Sequence, residues 1–351
     1  MENRFRLRNS NLLRISLFLA IIVVITPSFG FSGGGEKEGS GEETFNPGEM
    51  INHHIADAHS WEIYHGLTVH LPVIVYSSEK GLDVFSSSNF YDEHHELVPY
   101  NGYEMHHEHI TLEGGAHVFD ISITKNVLFL FIDALILILI FSAVARGYKK
   151  NAGRAPKGIQ SFFEPMIIFI RDDIAKANIG EKKYERFMPY LLTVFFFIWF
   201  GNLLGLLPGA ANMTGNIAVT LTLAVITLLI TLFSGRQTYW LHIVDPLGKS
   251  MPWAGKILLY LILWPVEIIS IFTKPFSLMV RLFANITAGH ILILSILSLA
   301  FIFKSVGIGI VGATFATAMN LLELFVAILQ AYVFTLLSAL YFGQAVEEAH
   351  H

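Results

Sequence analysis

The residues that could do chemistry lie where charge is expensive. Arg281 sits near the middle of KPFSLMVRLFANITAGH (274–290), inside a long apolar stretch. A charge at bilayer depth costs from a few to more than ten kcal/mol, depending on the estimate, so it marks a water-filled path, a partner charge or a snorkelling end. Arg281 is far from either end of its stretch, which disfavours snorkelling. The same stretch carries Glu267, Lys274, Ser277, Asn285, Thr287 and His290, and the last apolar stretch adds Asn320, Glu323 and Gln330. Ser277, Thr287 and Asn320 are ordinary helix–helix hydrogen-bonding residues. Arg281, His290, Glu323 and Gln330 together are not.

Spacing orders them in depth. At about 100° and about 1.5 Å per residue, Glu267, Arg281 and Asn285 share one broad face, with Glu267 roughly 20 Å toward the cytoplasm. His290 falls about 13 Å farther outward on the opposite face, while Glu323 and Gln330 share a face about 10 Å apart. If the two helices run antiparallel and Arg281 is level with Gln330, Glu323 comes close to the level of His290. The pattern offers an outer His–Glu pair, a mid-membrane Arg–Gln pair and an inner carboxylate.

The elements that must position these groups are membrane helices. The 351-residue chain is 53% hydrophobic and 15% charged, against about one-quarter charged for a soluble domain. It has no cysteine, which excludes disulfide and thiolate chemistry, and its net charge of −5 argues against nucleic-acid binding. No internal repeat suggests the inverted halves of a secondary transporter. Residues 1–30 read as a signal peptide: a basic start, the apolar ISLFLAIIVVIT and the small-residue PSFG. That apolar run is short for the roughly 20 residues a span needs, which favours cleavage over an uncleaved first helix. Residues 31–50 are a Gly/Glu-rich disordered linker. Residues 51–124 form a small extracytoplasmic segment with short β-like runs such as LPVIVYS and HVFDISI.

The fold class expected is an all-α membrane protein of about five transmembrane helices plus an amphipathic surface helix. The first span is 127–145. A basic cytoplasmic loop over 146–187 contains the amphipathic SFFEPMIIFIRDDIAKA. Spans at 188–207 and 215–233 follow, joined by the uncharged LPGAANMTGN, and a second basic loop returns the chain to the membrane. The stretches 257–303 and 309–343 exceed a single crossing, which predicts a long, tilted antiparallel hairpin with a glycine-rich turn around KSVGIGIVG and bends at Pro265 and Pro275. The tail, 347–351, is expected in the cytoplasm.

PFSLMVRLFANITAGHILI resembles the arginine helix of subunit a of bacterial F-type ATP synthases. ELFVAILQAYVFTLLSALYF resembles that subunit's last helix and GNLLGLLPG its first membrane hairpin. The resemblance covers roughly 125–346 and implies the following roles. Arg281 matches the essential arginine, Gln330 the neighbouring glutamine and Asn285 the asparagine one turn on. His290 and Glu323 match the outer acid and histidine positions, here interchanged relative to some members, as in mitochondrial-type ones. Glu267 matches a carboxylate of the cytoplasmic access path, with Ser277 between it and Arg281 on the proton path. Gly205 stands where some bacterial members carry an acid. The implied function is a proton-translocating stator with two offset half-channels beside a ring of c subunits. Protons enter past His290 and Glu323, ride on a ring carboxylate and leave near Glu267. The implied partners are the c-ring, b-type peripheral-stalk subunits, the rest of the synthase and the bilayer of the cell inner membrane. No cofactor and no covalent catalysis are implied, and no Walker A glycine loop occurs.

Eleven of the 15 histidines fall between His53 and His117, in clusters such as DEHHE and MHHEH. Their irregular spacing reads as a solvated, weakly buffering surface rather than a zinc or copper site. A secondary transporter or channel using Arg281 as its selectivity charge would need no partner ring. A metal transporter would need more intramembrane ligands than His290 and Glu323.

Overall fold

The structure is a computed structural model that describes Gly48 and residues 57–64, 67–92, 96–106, 108–113, 116–207, 209–245, 253–303 and 305–347. The expected signal peptide lies outside the described residues, as do the linker apart from Gly48 and the tail beyond Glu347. Seven strands come first: β1 (Ser60–Tyr64), β2 (Leu67–His70), β3 (Pro72–Ser77), β4 (Gly81–Ser86), β5 (Tyr103–His106), β6 (His109–Leu112) and β7 (Phe119–Asp120). Helices follow: α1 (Lys125–Lys150), α2 (Ile159–Phe169), α3 (Tyr184–Gly205), α4 (Ile217–Ser234), α5 (Gln237–Val244), α6 (Trp253–Ile302) and α7 (Val306–Val346). Five of these, α1, α3, α4, α6 over Leu259–Ala300, and α7, are long and apolar enough to cross a membrane.

Two compact units divide the chain, and each is described by itself. The first comprises Met1–Ile132, Gly201–Met213 and Thr287–Phe325. Its β part is built on period-two alternation. In β3, Val73 and Val75 are buried while Ile74 and Tyr76 face outward. With Phe90, Tyr103, Met105, Ile110 and Leu112 they form a small core. β1 pairs with β2, β5 with β6, and a three-stranded sheet runs β4-β3-β7, all antiparallel. This unit also caps the membrane helix that follows it. The Lys125 amide donates to the Ala58 carbonyl at 2.8 Å and the Asn126 amide to Asp57 Oδ1 at 3.0 Å, satisfying donors that a helix start leaves unpaired. Trp61 donates from Nε1 to the Gly209 carbonyl at 2.8 Å and meets the Phe129 ring edge-on at 5.1 Å. Gly209, at φ 75°, lies so close to β1 that a Cβ there would stand 2.9 Å from the Glu62 carbonyl oxygen.

The helix α6 ends at Ile302 and α7 begins at Val306, ahead of the glycine-rich run. Gly307, Gly309 and Gly312 lie inside α7. A Cβ on Gly312 would stand 3.3 Å from the Ile296 carbonyl oxygen, and one on Gly309 would stand 3.6 Å from Ala300 Cβ. These glycines let the helix backbones approach, which is what small residues do in membrane bundles. Pro265 and Pro275 both sit within the continuous helix α6.

The second unit comprises Asp133–Phe200, Thr214–Ile286 and Val326–His351. Its core is phenylalanine-rich. Phe196 meets Phe141 at 4.7 Å and Phe163 at 5.6 Å, and Phe187 stacks on Phe342 at 4.8 Å. In lipid such packing, rather than escape from water, holds helices together. The amphipathic α2 runs on through a wider π-helical stretch, Ile170–Lys176. Phe163, Ile170, Ile174 and Ala175 bury their side chains in this core, while Arg171 and Lys176 flank Asp172 at 2.8 and 2.9 Å on the other face. Gly343 touches the backbone of Asn178, where a Cβ would clash with the carbonyl oxygen.

Candidate functional site

Packing sets the rotation of α6 in the second unit. Leu278, Met279 and Leu282 are buried in the core with Ala331 and Phe334 of α7. Ser277, Arg281 and Asn285, each four residues apart, therefore share the exposed face, joined by Ala284 and Ala288. The apolar Phe272, Phe276 and Val280 are also exposed. Among the described residues no hydrogen bond or ion pair reaches Arg281. Gln330 is buried on α7 between Ala327 and Ala331 and does not hydrogen-bond to Arg281. Lys274 donates to Gln344 Oε1 at 3.0 Å and lies 5.5 Å from the Tyr341 ring centre.

Glu267 has a partner that sequence reasoning missed. Its Oε1 lies 3.4 Å from Nδ1 of the exposed His242, on α5. The short helix is tied down by Trp264, whose Nε1 donates to the Val244 carbonyl at 2.8 Å, and by a Tyr260–Asp245 hydrogen bond. A lone histidine 25 residues upstream in a polar loop gave no periodic signal linking it to Glu267.

His290 and Glu323 meet in the first unit. Nε2 of His290 stands 3.8 Å from Oε1 of the buried Glu323, an ion-pair distance beyond a normal hydrogen bond. Among the described residues neither Glu323 oxygen has a hydrogen-bond partner. The carboxylate leans into space left by Gly289, where a Cβ would be only 2.5 Å from Oε1. Thr287 Oγ1 is likewise buried and unpartnered. One intramembrane carboxylate escaped the sequence reading: Asp133, in VLFLFIDALILILIFSAVA, is fully buried, and neither oxygen has a hydrogen-bond partner among the described residues. Its signal was plain, a lone acid in an apolar span.

The histidine-rich segment is not uniformly solvated. His106, His109 and His117 are exposed, but His59 is buried between two carboxylates. Its Nδ1 lies 3.0 Å from Glu108 Oε2 and its Nε2 3.2 Å from Asp120 Oδ2. Burial opposes the charge on His59, but the hydrogen bonds it donates to Asp120 and Glu108 outweigh it and raise the pKa to about 9. Glu108 adopts φ 63°, an uncommon conformation, and its side chain accepts from the His59 amide at 2.8 Å as well. His53, His54, His65, His94, His95 and His107 lie outside the described residues. Among those described, no group of three or more His, Asp or Glu is arranged to hold a metal ion. Because the folded pKa is raised above 6.5, the His59 contribution is full below pH 6.5 and is lost as pH rises through about 9. The shift corresponds to about 3 kcal/mol. Limited proteolysis of the full complex should show the wild-type β segment several-fold more resistant than His59→Gln at pH 7, with the ratio near one at pH 10.

Ionisable side chains placed along membrane helices belong to proteins that move ions or charged substrates, and five such helices define a multi-pass membrane protein of that class. Within it, the chain belongs to the ATP synthase A chain family, whose profile matches residues 127–343. Residues 50–127 match a domain of unknown function, DUF8433. The chain is 51% identical over 249 residues to ATP synthase subunit a 2 of Chlorobaculum tepidum, covering 69% of this chain and 67% of that one. It is 41% identical over 324 residues to ATP synthase subunit a 2 of Chlorobium luteolum, covering 90% and 82%. It is also 39% identical to ATP synthase subunit a of an Anaeromyxobacter species, covering 87% and 71%.

Proposed function

We propose that this chain is the stationary subunit against which a ring of carboxylate-bearing c subunits turns, with Arg281 as the charge each ring carboxylate meets. Family membership makes it a proton-translocating stator of the ATP synthase membrane sector. The observation that carries the finer reading is the exposed guanidinium, with no hydrogen bond or ion pair among the described residues, on a helix flank whose other exposed residues are uncharged. A permanent cation on such a flank needs an anion from outside the chain. A transporter acting alone would instead turn that charge into its own bundle. Arg281 favours the ionised ring carboxylate and blocks a direct proton path between the two access routes. Ser277, Asn285, Ala284 and Ala288 leave room for the ring helix, and buried Gln330 backs the same segment.

In this reading His290 and Glu323 receive protons from the outer side and hand them to the ring. After nearly a full turn the carboxylate returns to Arg281 and gives up its proton toward Glu267, with His242 at the exit. The potential supplies about 2.3 kcal/mol per charge per 100 mV. The basic residues Arg146, Lys149, Lys150, Arg154, Lys157, Lys182, Lys183 and Arg186, from the last turns of α1 to the first turn of α3, support a cytoplasmic position for that side. The chain then lies in the inner membrane as a long, tilted α6–α7 hairpin, its β segment outside and its C-terminus inside. b-type stalk subunits would hold it still, and covalent chemistry on ATP belongs to other subunits. The chain has no cysteine, so Asn285→Cys gives a single reporter. Oxidation should cross-link it to a cysteine placed one turn from the ring carboxylate and stop ATP-driven pumping. No cross-link under conditions where both thiols react with a small reagent would overturn the assignment of this face.

A further inference from the structure

We infer that the outer face of the β4-β3-β7 sheet rests on the lipid surface beside α1, making the β segment a membrane-apposed platform. Alternation along three paired strands puts six apolar side chains on that face. Tyr76 is opposite Leu82 and Phe119, Ile74 is opposite Val84, and the Ile121 amide donates to the Ile74 carbonyl. Leu82 and Val84 are each 62% exposed, Phe119 70% and Ile121 54%. None of the six is charged. The buried face of the same sheet carries the core residues Val73 and Val75, so the outer face is not needed to fold the sheet. A contiguous apolar face of this kind marks an interaction site.

Its occupant follows from where the chain goes next. Only three residues separate Ile121 from Lys125, where α1 begins, so even fully extended the four steps keep Ile121 within about 13 Å of the helix start. The segment is not loosely tethered there. Asp57 and Ala58 cap the first turn of α1, and Trp61 packs on Phe129, inside α1, and on the turn at Gly209. These contacts hold the sheet at the level where α1 leaves the hydrocarbon. Tyr and Phe on such a face are well suited to the headgroup boundary, where aromatic rings concentrate. The inference requires only that α1 crosses the bilayer, and it is independent of the proton path.

The test uses the full complex in vesicles of phosphatidylethanolamine and phosphatidylglycerol, three to one. Because the chain has no cysteine, Leu82→Cys, Val84→Cys and Phe119→Cys can each carry one nitroxide, with His109→Cys on the exposed β5–β6 hairpin as the water-facing reference. The ratio of oxygen to nickel–EDDA collision rates should be at least threefold higher at the three sheet positions than at 109. Equal ratios would place the face in water and overturn the proposal. Shielding from both reagents would overturn it in favour of a protein cover, such as residues 1–47 of this chain or another subunit. ATPase activity of each labelled complex confirms assembly, so an unfolded variant is not mistaken for either outcome.

Discussion

Replacing Arg281 with alanine should abolish coupled ATP-driven proton pumping while leaving the complex assembled. The side chain is exposed and makes no contact that holds the chain's own core, because Leu278, Met279 and Leu282 do that work on the opposite side of α6. Its loss therefore creates no cavity and should not unfold the subunit. On the proposed reading, what disappears is the charge that favours an ionised ring carboxylate and keeps protons from passing straight between the two routes. A fall in pumping of at least 100-fold is expected, equivalent to about 2.7 kcal/mol or more. Passive proton leak through the membrane sector should persist or rise. Arg281→Lys keeps the charge but loses the planar fork that engages a carboxylate through two donors, so it should recover little. Inverted vesicles with a pH-sensitive dye report pumping, and ATP hydrolysis in the same vesicles reports assembly. Pumping retained in step with hydrolysis would dispose of the mechanism.

The parts of the chain legible in advance were those written in local pattern. Each membrane helix was visible because lipid demands an unbroken apolar run, and the boundaries of α1, α3 and α4 fell within a few residues of the expected spans. The alternation in PVIVYS likewise announced β3. The turn between α6 and α7 was misplaced because glycine carries two meanings. In water it breaks helices, but in a bundle Gly309 and Gly312 serve to bring helices together, and α7 already begins at Val306. Pairings across long sequence distances were the least legible. Nothing near His59 says that it will lie between Glu108 and Asp120, and nothing near His242 points to Glu267. The exposure of Arg281 was hidden too, because it depends on which flank of α6 the phenylalanine-rich core claims.

Exchanging the outer pair should separate a proton relay from mere packing. His290→Ala and Glu323→Ala are each expected to lower ATP-driven pumping between about 10- and 100-fold, the scale typical of a lost proton-transfer group. The double exchange His290→Glu with Glu323→His keeps one acid and one imidazole on the same two helices in reversed order. If the groups act by holding and passing protons, order matters less than presence, and the exchanged protein should recover to within about fivefold of wild type. Packing predicts the reverse. Glu323 is buried against Gly289, which has no side chain to yield, so a ring at 323 fits worse than a methyl group. A steric role therefore makes the exchange as poor as the worse single variant, or poorer. Pumping rates for the four proteins, normalised to hydrolysis in the same vesicles, distinguish the two roles. Recovery above both singles identifies the His290–Glu323 contact at 3.8 Å as a functional couple. An exchange that pumps no better than either alanine variant would remove the pair from the proton path.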